Sequence, residues 1–224
     1  MSKDYEILTK QKYFKRAKWA AFILAATPFI SMVGLNGSVA RGESSEKSDI
    51  DFLIIAHSGR IFTCRAFSMV LMAIFGLKRY ENKIAGRVCL NLYQTENHLD
   101  LSYKDHPGSP KYLAKNYSFT IALWQKNNIF TKFMAKNRWI SEYNEHFHYA
   151  LYKPSLQDFL LVIIMNITRK FCEIIFELFF NNWGESLLKG YQIKRIKNDP
   201  RSKTAKPGQV FISNKELRFH LEKN

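Results

Sequence analysis

The chain has few cysteines, few acids and no long uninterrupted apolar run, and each shortage excludes something. Its three cysteines, Cys64, Cys89 and Cys172, are far apart, odd in number and include no CxxC pair. That argues against a zinc site built on paired cysteines and against a secreted disulfide framework. No apolar stretch supplies the ~20 residues a helix needs to cross the hydrocarbon core, so no transmembrane segment is expected. Internal repeats and low-complexity tracts are also missing, which removes solenoids and fibrous chains. Acids are scarce: 19 Asp and Glu stand against 34 Lys and Arg in 224 residues, a formal charge of +15. The surplus is concentrated at the ends, with six basic residues against two acids in 1–18 and ten against three in 189–224. The body between is nearly balanced, so nucleic acid is the second choice of partner, through the basic ends.

What is present is enough apolar matter for a real core. Hydrophobic residues make up 46% of the chain, with 18 Phe and 11 Tyr, which excludes wholesale disorder.

The stretch GLNGSVARGESSEKSDIDFLII, Gly34 to Ile55, supports two incompatible readings. Ser38-Val39-Ala40, after a basic and then an apolar run, has the form of a signal-peptide cleavage site. The basic region is too long for that, Pro28 splits the apolar run, and the scattered cysteines carry no disulfide logic. The second reading is a strand over 29–35, a turn at Gly37-Ser38 with a short exposed helical segment, and a strand over 51–56. It is the one adopted here, with a reducing cytoplasm as the expected compartment.

Around this unit the pattern predicts a helix over 5–26 ended by Pro28, a helix over 60–77, and an alternating strand over 87–95. From about Leu99 the text reads as helical and aromatic, with breaks at Pro107–Pro110 and Lys153-Pro154. The run 156–180 carries Asn166, Lys170, Glu173 and Glu177 as one polar stripe, after a capping box at Pro154-Ser155. A buried bundle helix is expected, with an interfacial membrane helix as the alternative. From Gly190 the composition turns basic and loop-like, with apolar pieces at 209–212 and 217–219 that favour docking over a solvated tail. The expected organisation is a core with an N-terminal helix over 1–104, a helical aromatic-rich domain over 105–189, and a basic tail over 190–224.

Asp49 and Asp51, two residues apart at a strand start, leave the strand on the same face. They repel unless a cation lies between them, and their hard oxygens suit Mg²⁺ or Mn²⁺. Gly37 lets the backbone approach a ligand closely, and Ser38 offers its hydroxyl and nearby N–H groups to phosphate oxygens. Together these are the two grips a nucleoside triphosphate requires.

Gly37-Ser38, ten intervening residues and Asp49-Ile50-Asp51, between apolar strands, resemble the DNA polymerase beta-type nucleotidyltransferase superfamily. Its small members often read GS-x-ARGE-x-x-x-x-SDIDLL, and this chain reads GSVARGESSEKSDIDFLI. The resemblance covers 29–55 directly and reaches more loosely to Tyr93. It implies an α/β (α+β) fold, a palm with a small mixed sheet followed by a helical C-terminal region. It also implies transfer of a nucleotidyl group from an NTP, ATP among the candidates, to a hydroxyl-type acceptor with release of pyrophosphate. Gly37, Ser38 and Arg41 would contact the triphosphate, and Asp49 and Asp51 would ligate metal and act in catalysis. The family's third carboxylate would come from the strand over 87–93, where this chain has Asn91, which cannot accept a proton. Glu96, Asp100 and Glu43 are the alternatives, and Cys89 shares the side of Asn91 on a regular strand. Three functions follow: transfer to a small molecule or protein, modification of RNA or tRNA ends, and a catalytically degenerate nucleotide-binding or interaction protein.

Overall fold

The computed structural model describes residues 3–80, 82–101, 110–143, 148–152, 156–205 and 209–219. Lys3–Leu24 forms helix α1. Its Ala17, Ala20, Ala21 and Leu24 are fully buried against the sheet, the small side chains allowing close approach. Strands β1 (Ile30–Asn36) and β2 (Ile50–Ala56) run antiparallel. Both are buried on both faces and so read as continuous apolar runs rather than alternating ones. Helix α3 (Ile61–Ile74) crosses over to β3 (Val88–Thr95), which lies parallel to β2, the connection that parallel pairing demands.

The remaining strands are β4 (Phe119–Gln125), β5 (His148–Leu151), β6 (Val210–Ile212) and β7 (Glu216–Phe219). They complete a mixed seven-stranded sheet of order β5-β4-β1-β2-β3-β7-β6. Alternate side chains of the central strands enter two cores. Val33, Leu35, Phe52 and Ile54 meet α1 and α3 on one face. Met32, Leu53, Ile55 and Leu92 meet α4 (Pro110–Tyr117) and α5 (Ile129–Lys136) on the other. Helices α6 (Leu156–Phe179), α7 (Asn181–Asn198) and the short α8 (Pro200–Lys203) follow. The fold is therefore α/β with a mixed sheet, consistent with a nucleotidyltransferase palm.

Four local expectations are corrected. The chain beyond Leu99 is not all helical, because β4 inserts beside β1 and β5 beside β4; β4 is apolar on both faces, with Ile121 and Leu123 on one and Ala122 on the other, so the alternation that would mark a strand is missing. The loop-like reading from Gly190 gives way to α7, which continues to Asn198 with Gln192 and Ile196 turned inward. After Gly37-Ser38 the helical segment is a single turn, α2 (Gly37–Ala40), followed by an irregular loop. Helix α6 is not a buried bundle helix: Glu173 and Glu177 of its polar stripe bond to the body while Lys170 is exposed, and most of its apolar side faces outward. The breaks at 107–109 and 153–154 and the capping box lie outside the described residues.

Candidate active site

Asp49 and Asp51 flank the first residue of β2 and leave it on one face. Asp49 is 2% exposed and Asp51 half-buried. On one side Asp51 pairs with Asn36 of β1, which brings the following Gly37 against its carboxylate. A Cβ at Gly37 would lie 2.5 Å from Asp51 Oδ2, and φ there is +70°, so the turn needs glycine on both counts. Next to it Asn36 Oδ1 is buried without a hydrogen-bond partner.

On the other side Asp51 pairs with Cys89 of β3. The ladder then skips a residue: Phe52 pairs with Leu90 and Leu53 with Leu92, leaving Asn91 as the extra residue of a bulge. Bulges re-aim side chains, and here Asn91 Nδ2 donates to Asp51 Oδ1 at 3.0 Å. Asp49, Asp51 and Cys89 each offer a ligand atom within 4.8 Å of the other two.

Arg79, from the segment between α3 and β3, donates through Nη1 to Asp49 Oδ2 at 2.6 Å and reaches Cys89 Sγ at 3.5 Å. Burial opposes its charge, yet Cys89 and the two aspartates outweigh it and hold the guanidinium pKa above its ordinary value. Burial, then Asp51 and Asp49, push the Cys89 thiol up to about 12. Two carboxylates brought together on one face repel each other, so the group suits a cation between them. Two carboxylate oxygens fit a hard divalent ion, while a thiol is a softer donor.

Ser38 is half-buried in α2 beside this cluster. Arg41 caps the same turn. Its Nε donates to Glu43 Oε2 at 2.8 Å and its Nη1 to the Lys115 carbonyl at 3.3 Å, so its guanidinium ties the loop to α4. The Arg41 hydrogen bond also holds the Glu43 carboxyl below its usual range.

Two expected alternatives for the third carboxylate are corrected. The Glu96 N–H donates to the Ala56 carbonyl at 3.0 Å, and Glu96 Oε1 accepts from Ser31 Oγ. That is the far end of β2, roughly 17 Å from Asp51 at ~3.3 Å per residue. Asp100 lies beyond it, its carbonyl accepting from Gln94 Nε2. Neither joins the cluster. Trp124 is buried in β4 with the Arg169 guanidinium over its ring, and lines a cavity of about 430 Å³ with Tyr152 and Arg169 at the end of the sheet away from the aspartates.

Sequence reasoning missed Arg79 and Asn36. Arg79 sits in no periodic pattern, and only the tertiary approach of its segment brings it to Asp49. Asn36 had a usable signal, since it directly precedes Gly37-Ser38. Residues 23–105 match the family model described as nucleotidyltransferase domain. No curated protein and no solved structure matches the chain.

Proposed function

We propose that residues 23–105, a nucleotidyltransferase domain of the polymerase beta-like superfamily, move a nucleotidyl group from an NTP to a hydroxyl of a small molecule or protein. The acceptor oxygen attacks the α-phosphorus, the bond to the bridging oxygen breaks, and pyrophosphate leaves. The observation that carries this reading is the Gly37 turn pressed against the Asp51 carboxylate, which brings a phosphate grip and a metal grip together. Asp49 and Asp51 would hold Mg²⁺ or Mn²⁺, which supplies neutralisation of the triphosphate and polarisation of the phosphorus.

The chain's own residues do the rest. The Gly37-Ser38 turn aligns phosphate oxygens through backbone N–H groups and the Ser38 hydroxyl. Asn91 fixes the Asp51 rotamer by its hydrogen bond. Arg79 balances the buried Asp49 charge before nucleotide arrives. Arg41, engaged with Glu43, is left a supporting role at the turn. A reducing cytoplasm suits the three free cysteines.

The amide at position 91 favours a second reading, a degenerate protein that binds nucleotide without turnover, because the strand lacks the carboxylate that would accept the acceptor's proton. Pyrophosphate release measured with each NTP, Mg²⁺ or Mn²⁺ and a cell extract separates the two. Release that depends on extract and metal supports transfer. Saturable metal-dependent NTP binding with no release supports the second reading, and no NTP binding sinks both.

A further inference from the structure

Helices α6 and α7 sort their charges by direction. Glu173 accepts the Phe29 N–H at 2.8 Å and pairs with Arg169 at 2.9 Å. Glu177 accepts Arg60 Nε and Nη2 at 3.0 and 2.9 Å. Glu185 accepts the N–H groups of Phe62 and Thr63, both at 2.9 Å. These are the three glutamates of the two helices, and all of them are turned to the body.

The outward arc of α6 is the reverse. Leu160, Ile164, Ile167, Phe171, Ile174 and Leu178 recur at helical spacing and are 53–74% exposed. At the helix junction the apolar surface continues through exposed Phe179 and Phe180, the latter stacked on Trp183 at 6.4 Å between ring centroids. The exposed lysines follow: Lys170 borders the apolar arc, and Lys194 and Lys197 share the outward side of α7 with Trp183 and Leu187.

We propose that this face rests on an anionic lipid surface. Helix α6 and the start of α7 would lie in the interfacial plane, apolar side chains among the acyl chains and Lys170, Lys194 and Lys197 at the lipid phosphates. Charge complementarity selects this occupant. The three glutamates are bound to partners on the body, Glu177 while still 43% exposed, and Lys170, Lys194 and Lys197 are exposed. A second copy of the chain would bring another +15 to the same lysines. Trp183 at the end of the apolar arc suits the boundary between headgroups and acyl chains, where such rings concentrate. No helix among the described residues is long and apolar enough to cross a membrane, which fits one that lies on it.

The attachment also sets an orientation. The inward glutamates grip Phe29, Arg60, Phe62 and Thr63, all at the end of β1 and β2 opposite Asp49 and Asp51. A protein resting on α6 would hold its carboxylate cluster away from the bilayer, open to the aqueous phase.

The test is sedimentation of the full chain with phosphatidylcholine vesicles, with and without phosphatidylglycerol. Because each surface lysine adds about 1 kcal/mol on an anionic membrane, wild type should bind the anionic vesicles at least about tenfold more tightly, and added salt should weaken the binding. Ile167→Asp/Phe171→Asp, on the exposed arc, should abolish binding with the melting temperature unchanged. Lys194→Glu/Lys197→Glu should weaken it at least about thirtyfold, the equivalent of two lysine contacts. Failure of wild type to bind anionic vesicles, or binding by the double aspartate variant equal to wild type, would overturn the proposal. So would a stable wild-type dimer in analytical ultracentrifugation that the aspartate variant dissolves without any vesicle binding, because the face would then join two copies. None of these readouts depends on nucleotidyl transfer.

Discussion

The two ends of β2 each carry a carboxylate–arginine contact, and they are built to opposite specifications. At the C-terminal end Arg60, 9% exposed, has each of its five N–H donors matched to an acceptor: Glu177 twice, Asn181, Asn182 and the Gly59 carbonyl. Charge there is balanced and directionality saturated, which is the form of a clasp. At the N-terminal end two aspartates and a thiol crowd within 4.8 Å, with Arg79 Nη1 donating to Asp49 at 2.6 Å. A saturated pair holds a fold together, whereas carboxylates crowded on one face have a use for a ligand.

The largest effect that separates the ends should come from the cluster. Asp49→Asn/Asp51→Asn should lower any metal-dependent transfer at least about 10³-fold, since metal stabilisation supplies several kcal/mol of the barrier reduction, while circular dichroism and melting stay near wild type. An active double variant would mean that the paired carboxylates have no catalytic meaning. The next largest belongs to the clasp. Arg60→Ala should cost about 2–3 kcal/mol, because hydrogen bonds to a charged group are lost while the partly exposed Glu177 regains water. Melting should fall by roughly 5–10 °C for a chain of this size, with metal-dependent nucleotide binding intact in the folded fraction. A variant that melts normally but loses nucleotide binding would reverse the assignment of the two ends.

A smaller effect sharpens the chemistry of the cluster. Asn91→Asp adds a third carboxylate beside Asp51 and should tighten Mn²⁺ binding about tenfold, or 1.4 kcal/mol, as read by calorimetry. Unchanged affinity would show that the bulge aims position 91 at Asp51 alone. The smallest is a pH effect at the clasp end. Burial holds the Cys64 thiol well above its ordinary value of 9.0, so the unfolded chain loses that proton first. Its contribution is complete below pH ~9 and fades as pH rises. Denaturation at pH 8 and pH 10.5 should show the decline, and Cys64→Ala should flatten it.

Much of the cluster was legible because it rests on short-range geometry. Asp49 and Asp51 share a face by the period of a strand, and Gly37 stands where a turn must approach a carboxylate. The strands β1, β2 and β3 announced themselves by apolar runs ending in Gly, Ser or Asp, and by alternation from Val88 onward. Strand β4, FTIALWQ, did not: apolar on both faces, its run reads equally well as helix. The orientation of α6 was illegible for a related reason. Periodicity reveals that a helix has two faces, but which one turns inward depends on what awaits it. Here the Phe29 N–H and Arg60, more than a hundred residues earlier, donate to Glu173 and Glu177 of the polar stripe. Arg79 reaches Asp49 only through tertiary approach, and Glu96 looked available only while the register of β3 against β2, which sets it beside Ala56, was unseen.

The C-terminal hairpin bears on the order in which the protein can be made. Residues 23–105 hold β1, β2 and β3, but the outer edge of β1 is covered by β4 and that of β3 by β7, with Leu92 opposite Arg218. While the ribosome is still translating the helices, the strand bearing Cys89 and Asn91 has one edge uncovered, a template for pairing with another nascent chain. Burial of Arg218 and Leu217 at 0% exposure comes only after synthesis has passed them. The half of the sheet that carries the aspartates therefore waits for residues more than a hundred positions later in the chain, and a fragment cut at residue 105 is expected to aggregate rather than fold.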